Sequence, residues 1–462
     1  MNAPSENLAA RHDVAYHLHP NTDLAALGAE GPFVVSRGEG VYVFDEAGRR
    51  YIEGMAGLWC VGLGFSEPRL IEAADRQLRT LPCYHAFSGK VSTVAAHLAG
   101  RLIGLAPEGL VRVFFANSGS EANDSAVKLV WYYNNALGRP AKKKIIARKR
   151  GYHGVTVAAG SLTGLAAFHA EWDLPLPRML HVETPHYWRG AREGESEQAY
   201  AARLARELEE TIVAQGPDTV AAFIAEPIMG AGGVILPPET YFEQVQAVLA
   251  KYDVLMIADE VICGFGRTGR MFGSHTYGIR PDILTCAKML TSGYVPMSAV
   301  MVSQPIYDAL LEQSKKLGML AHGFTYSGHP LASAVALETL AIYEERDLLA
   351  HVRSVAPVLQ DGLRAVADHP LVGEARGIGL IGAWELVRDK ATKASFDPKA
   401  GVGAHLVRRA QEHGAIVRVV SGDMITFSPP LVIDAAQIRE LLACATRALD
   451  DTWDWVRANG LA

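Results

Sequence analysis

Between residues 110 and 303 the chain alternates short apolar, β-rich runs with longer stretches of helical spacing. The apolar runs fall at 111–115, 144–148, 220–225, 254–258, 283–287 and 298–303. Runs this short and this uniformly apolar predict strands buried on both faces. Helical spacing is plainest at 198–214, where charged Arg203, Arg206, Glu207, Glu209 and Glu210 interleave with Leu204, Leu208 and Ile212. Strands alternating with helices predict an α/β fold: a mainly parallel sheet covered by helices on both faces. Ahead of this region, residues 40–52 read as a hairpin that turns at Glu46-Ala47-Gly48. Beyond it, 331–349 predicts one long helix, and 377–382 and 415–420 predict strands of a smaller α+β unit. A chain of 462 residues exceeds what one core usually supports. The predicted division is 1–75 joining the small domain, 76–330 as the large domain, and 331–462 completing the small one.

Two of the apolar runs end on a charge. Val254-Leu255-Met256-Ile257-Ala258 is closed by Asp259, and Ile283-Leu284-Thr285-Cys286-Ala287 by Lys288. A bare charge is costly in a core, so both are expected at the carboxyl edge of the sheet, where open α/β proteins bind ligands. A lysine there can hold an aldehyde cofactor as an imine and later move a proton, and burial favours its neutral form. A carboxylate there can pair with a pyridinium nitrogen and keep it protonated, so that the ring withdraws electrons from the substrate. For either residue alone, a structural ion pair or a surface position is the plainer alternative.

Composition narrows the partners. The chain has 44 basic and 50 acidic residues, which argues against nucleic acid. Its longest basic cluster, Lys142-Lys143-Lys144 with Arg148-Lys149-Arg150, reads as a solvated loop edge. No apolar stretch reaches the ~18–20 residues a membrane helix needs, so no membrane partner is expected. Residues 1–6 carry no basic segment leading into an apolar one, and a cytosolic location follows as an expectation. The five cysteines, Cys60, Cys83, Cys263, Cys286 and Cys444, are odd in number and widely spaced, which predicts reduced thiols. No CxxC or HExxH occurs, and His17-Leu18-His19 is a weak metal signal, so no metal is expected.

Further candidates cluster after other strands. Asn117-Ser118-Gly119-Ser120-Glu121-Ala122-Asn123 joins the 111–115 strand to a helical run through Trp131 and Tyr133. A strand, a small-residue turn and a helix start make a phosphate seat, with free amides and the Ser120 hydroxyl as donors; ordinary helix capping is the alternative. Tyr152 follows the 144–148 strand, placed either to stack on a planar ring or to fill the rim. Glu226 ends the 220–225 strand, where its carboxylate either serves the site or satisfies backbone donors. Gly264-Phe265-Gly266-Arg267-Thr268-Gly269 fits the dinucleotide pattern GxGxxG, yet 270–278 lacks helical periodicity and Pro281 follows, which weighs against a nicotinamide-dependent dehydrogenase.

Taken in order, Asn117-Ser118-Gly119-Ser120-Glu121-Ala122, Ala225-Glu226-Pro227, residues Asp259 to Gly269, Lys288, and Gly323-Phe324-Thr325-Tyr326-Ser327-Gly328-His329-Pro330 resemble a class III aminotransferase dependent on pyridoxal 5'-phosphate. Within that class, Gly57-Leu58-Trp59, Tyr84-His85-Ala86-Phe87, Pro185-His186-Tyr187-Trp188-Arg189 and Arg418 resemble the ω-transaminases that use pyruvate as amino acceptor. The resemblance implies fold type I, the aspartate aminotransferase-like arrangement with a seven-stranded sheet. It implies Lys288 as the catalytic lysine, Asp259 as the pyridine partner, Tyr152 and Val261 on the two ring faces, and Gly119 and Ser120 at the phosphate. Glu226 belongs with this cofactor set. Trp59, Phe87 and Tyr152 become apolar substrate walls, and Arg418 the group that takes a substrate carboxylate. It also implies a homodimer, with Thr325 reaching the phosphate of the neighbouring subunit. The partners are then a small-molecule amine donor and pyruvate or another keto acid. Transaminases of β-alanine, taurine or diamines, and aminomutases or decarboxylases, share the cofactor and stay open.

Overall fold

The structure, a computed structural model, describes residues 7–462. Residues 1–6, read above for a targeting signal, lie outside them. No helix among the described residues is long and apolar enough to cross a membrane.

Three strands come first, β1 (Val35–Glu39), β2 (Tyr42–Asp45) and β3 (Arg50–Glu53). A second group follows: β4 (Leu110–Ala116), β5 (Lys144–Arg148), β6 (Met179–Val182), β7 (Val220–Ala225), β8 (Leu255–Asp259), β9 (Ile283–Cys286) and β10 (Ser298–Ser303). The last group is β11 (Val372–Ile378), β12 (Ile381–Leu386), β13 (Ala415–Ile416), β14 (Arg418–Val420) and β15 (Met424–Phe427). The middle group forms one seven-stranded sheet in the order β4-β10-β9-β8-β7-β5-β6, parallel from β9 through β6, with β10 antiparallel to both its neighbours.

The uniform apolarity of these runs has a direct cause. Successive strand residues point to opposite faces, and both faces are covered. Ile145, Ala147, Ile224 and Ile257 pack on one side against Ala122, Ala126 and Val130 of the helix Gly119–Ala136. Ile146, Phe223, Ala225, Met256 and Ala258 pack on the other against Leu204, Leu208 and Ile212 of Glu197–Gln215. Each fully buried side chain of Val, Leu or Ile size contributes ~1.5–3 kcal/mol, so a polar residue inside either layer is strongly disfavoured. That pushes the charges of β8 and β9 to their ends.

The smaller region departs from the sequence reading in three places. The helix expected over 331–349 stops at Glu345; Asp347 turns into the left-handed region (φ 43°) and a second helix, Leu348–Arg364, starts there. The single strand expected at 377–382 is split between two: Gly377 and Ile378 close β11, Ile381 and Gly382 open β12, and the chain turns between them with Gly379 at φ 56°. The strand expected at 415–420 divides at Val417. β13 pairs parallel with β3, which completes a sheet ordered β1-β2-β3-β13, whereas β14 joins the antiparallel sheet β11-β12-β15-β14. The amino-terminal strands are thereby tied to the carboxyl-terminal part of the chain.

The basic cluster is no solvated edge. Lys142 and Lys143 are buried, and Lys142, Lys143 and Lys144 donate to the backbone carbonyls of Tyr252, Trp131 and Gln215, while Arg148 is fully buried. All five cysteines are free; Cys263, Cys286 and Cys444 are buried, Cys60 is half-buried and Cys83 is exposed.

Candidate active site

Asp259 is the last residue of β8, and Lys288 lies two residues beyond the end of the adjacent strand β9. Lys288 adopts φ 48°, a conformation that costs a residue with a side chain roughly 1–3 kcal/mol and concentrates at functional sites. Both border a cavity of about 310 Å³ at the carboxyl edge of the sheet. Gly119, Ser120, Tyr152, Glu226 and Val261 line the same cavity, so seven residues singled out in the sequence converge there. Burial holds the Lys288 amine below the usual lysine range, with the Asp259 carboxylate pulling the other way.

Asp259 is 3% exposed and braced from two sides. Its Oδ2 accepts from Asn123 Nδ2 at 2.8 Å and lies 2.8 Å from His153 Nδ1, and its Oδ1 accepts from the Val261 amide at 3.1 Å. Asn123 is held in turn: Thr285 Oγ1 donates to its Oδ1 (2.8 Å), and its Nδ2 also meets the His153 carbonyl (2.7 Å). A carboxylate fixed this way, and almost fully buried, cannot rotate, so its field acts in a fixed direction on whatever sits beside it. Asn123, His153 and Thr285 carry this orientation, and sequence reasoning gave none of them a role.

The opposite end suits a phosphate. Ser118 caps the helix Gly119–Ala136 by accepting from the Glu121 amide. The amides of Gly119 and Ser120 stand at the helix start, without intrahelical acceptors. Glu121, an anion in that first turn, is folded back to accept from the Asn117 backbone and side-chain nitrogens (2.8 and 2.9 Å). Ser120 Oγ accepts from the Val155 amide (3.1 Å), which leaves its own proton for a ligand. Space is kept by glycine: a Cβ at Gly154 would stand 2.5 Å from Ser120 Oγ, and one at Gly119 would stand 3.0 Å from Val261.

Tyr152 is half-buried, its ring edge-on to Phe168 (5.5 Å between centroids). Burial pushes its phenol up, with Arg418 opposing. Glu226 combines its two readings. Its carboxylate accepts from the Tyr152 amide (3.0 Å) and the Gly230 amide (2.9 Å), satisfying backbone donors, and it also borders the cavity. Burial raises its carboxyl.

Of the residues assigned to substrate, Tyr152 lines the cavity, whereas Trp59, Phe87 and Arg418 lie apart from its lining. Trp59 is 3% exposed, in a core cluster with Ile262, which does line the cavity. The Arg418 guanidinium sits over the Trp59 ring, 5.3 Å from its centroid. Phe87 is 46% exposed, and Thr325 lies exposed in the turn before the helix Pro330–Glu345. Neither Phe87 nor Thr325 borders the cavity of the single chain.

The Gly264–Gly269 pattern holds no dinucleotide seat. A one-turn helix, Gly273–Tyr277, does follow it, contrary to the sequence reading, but the amides of Gly273 and Ser274 are already taken by the buried Glu260 carboxylate. Arg267 inside the pattern is fully buried and donates to the carbonyls of Leu380 and Pro429. The loop is a structural junction.

An amine and a locked carboxylate at one end, with a glycine-cleared helix start at the other, match an aldehyde-bearing aromatic cation with a phosphate tail. Fold and cavity together define a pyridoxal-phosphate enzyme of fold type I. Residues 25–449 match the family model described as aminotransferase class-III, and the chain belongs to that family. Members of that family use pyridoxal phosphate. The chain is 52% identical to "Gamma aminobutyrate transaminase 1, mitochondrial" of Solanum lycopersicum over 422 residues, 91% of this chain and 82% of that one. Among solved structures it resembles the ω-transaminase of Pseudomonas jessenii in complex with PMP, with TM-score 0.95 and 54% identity over 97% of this chain and 98% of the other. It also resembles a transaminase solved with L-alanine, with TM-score 0.90 and 53% identity over 92% and 100% of the two chains.

Proposed function

We propose that this aminotransferase is a homodimeric ω-transaminase that moves an amino group from a primary amine or ω-amino compound to pyruvate, giving an aldehyde or ketone and alanine. The observation that carries this reading is Arg418 lying over Trp59. One place then offers an apolar aromatic surface to an uncharged amine donor and a planar cationic fork to a carboxylate, the two unlike substrates that such a reaction alternates.

The bound cofactor supplies an electron sink that stabilises negative charge at the substrate carbon. The protein's own groups do the rest. Lys288 Nζ, whose amine burial holds below the usual lysine range, would take the proton from the substrate carbon bearing the amine and carry it to the adjacent site. Asp259, braced by Asn123 and His153, would keep the cofactor's ring nitrogen protonated. Tyr152 and Val261 would bound the two faces of its ring, the Gly119 and Ser120 amides with the Ser120 hydroxyl would hold the phosphate, and Glu226 fixes the Tyr152 backbone. Exposed Thr325 suits a residue that reaches the phosphate of the second subunit.

Pyruvate as acceptor is supported by the similar transaminase solved with L-alanine. The relatives named as γ-aminobutyrate transaminases, at 52–53% identity in Solanum lycopersicum and Oryza sativa, favour γ-aminobutyrate as a second donor class beside arylalkylamines. A panel of both donor types with pyruvate, repeated with 2-oxoglutarate, tests this by alanine and glutamate release. Alanine formed with either donor is expected; glutamate without alanine would overturn pyruvate as the acceptor, and products with neither amino acid would point to an aminomutase or decarboxylase and overturn the assignment.

A further inference from the structure

The turn that carries Trp59 is unusual in its backbone. Ala56, Gly57 and Trp59 all have positive φ (48°, 65° and 58°), and for a bulky aromatic that conformation is a genuine outlier. Such a turn persists only where its surroundings over-determine it. Directly before it stands Glu53, the last residue of β3, 4% exposed. Glu53 Oε1 accepts from the Met55 amide at 2.7 Å, and Oε2 accepts from the Gly57 amide. One buried carboxylate thus gathers two main-chain amides of the strained turn, the arrangement of an anion in a backbone nest. Burial pushes its carboxyl up to about 7, and those two amides are the groups that oppose the rise.

The rest of the turn is pinned toward the candidate site. The Gly54 amide donates to the Ile416 carbonyl (2.9 Å), and the Gly54 carbonyl accepts from the Ser428 amide (2.6 Å). Thr426 Oγ1 meets both Met55 Sδ (3.4 Å) and the Arg418 carbonyl (3.0 Å), linking this turn to the strand that presents Arg418. At the far end Trp59 lies beneath Arg418, and Cys60 borders the cavity.

We propose that Glu53 is a positioning residue for donor selectivity: its carboxylate fixes the turn that presents Trp59 and Cys60, and so sets the preference between bulky aryl amines and small ω-amino compounds. It touches neither substrate nor cofactor. The inference rests on the reading of Trp59 as an amine wall. In Glu53→Gln one acceptor oxygen becomes an NH₂ group facing a main-chain N–H, so one of the two bonds is lost. A hydrogen bond to a charged group is worth roughly a tenfold or greater change in population.

The experiment compares holoenzymes of wild type, Glu53→Gln, Gly57→Ala and Trp59→Ala with pyruvate and two donors, an arylalkylamine and β-alanine. For Glu53→Gln a roughly tenfold rise in KM for the arylalkylamine is expected, with kcat and the KM for β-alanine within about twofold. Gly57→Ala, which puts a Cβ at φ 65° and ψ −97°, disturbs the same turn by another route and is expected to reproduce this split. It carries the test if Glu53→Gln does not fold. Equal losses for both donors, or no loss, in the Glu53 and Gly57 variants while Trp59→Ala loses the aryl donor selectively would overturn the positioning role alone. An unchanged aryl KM in Trp59→Ala would overturn the wall itself, and the selectivity proposal with it.

Discussion

The two ends of the candidate site are built differently. At the cofactor end, Asp259 and Lys288 sit at the ends of neighbouring strands in one sheet; Asn123 of the covering helix and His153 brace the carboxylate, and Thr285 of β9 holds Asn123. At the substrate end, Trp59 comes from a turn near the amino terminus, Arg418 from the first residue of β14 in a different sheet, and Phe87 and Thr325 from exposed loops. One end is a rigid product of strand order. The other is assembled from a turn, a strand of a second sheet and two exposed loops, with Thr426 joining the turn to the Arg418 carbonyl. Reaction type therefore belongs to the sheet edge, and substrate choice to the parts around it.

If that contrast holds, changes at the first end abolish chemistry whatever the substrate, and changes at the second redistribute it. The largest effect is expected for Lys288→Ala, at least ~10³-fold lower turnover with every donor, with cofactor still bound noncovalently as seen in absorbance and native mass spectra. Multiple turnovers at near-normal rate would break the comparison at its strongest point. Asp259→Asn comes next: ~10–100-fold weaker cofactor retention, as expected for losing a charged hydrogen-bond acceptor, with slowed proton transfer in single-turnover measurements. Arg418→Ala is expected to impair the pyruvate half-reaction by ~10-fold or more, as for a lost charged contact, and the uncharged-amine half-reaction far less. Equal losses would move Arg418 into the first group.

Glu260→Gln is expected to have the smallest effect on turnover and to speak to the scaffold. Burial pushes the Glu260 carboxyl up to about 7 from an ordinary 4.5. Between those values the native state holds more proton than the unfolded chain, so this group lowers stability as pH rises from about 4.5 to 7. The stability of Glu260→Gln relative to wild type should therefore improve across that window, by at most about 3 kcal/mol. Thermal unfolding of both proteins at pH 5 and pH 8 checks the sign.

The same contrast governs what the sequence reveals. β7, β8, β9 and β10 are visible because burial on both faces forces largely apolar runs, and that is also why the charges closing two of these runs stand out; β4 and β5 show as β-rich runs despite Arg112 and Lys144. β6 escapes notice because it is an edge strand of only four residues, with His181 breaking its apolar run. The bracing of Asp259 leaves no local trace. Asn123 and Thr285 lie 162 positions apart and meet only when the sheet forms. Trp59, Phe87, Arg418 and Thr325 are assigned through resemblance alone, since no periodicity marks them. The division of 415–420 between two sheets is decided at Val417 by partners distant in the chain, β3 and β15.

The most direct test of the central claim, that Lys288 at the end of β9 is the covalent anchor facing a locked Asp259, is borohydride reduction of the cofactor-loaded protein followed by peptide mass mapping. The account predicts one stable pyridoxyl adduct, on Lys288, absent in Lys288→Ala. An adduct on another lysine, or none from a loaded yellow protein, would contradict it.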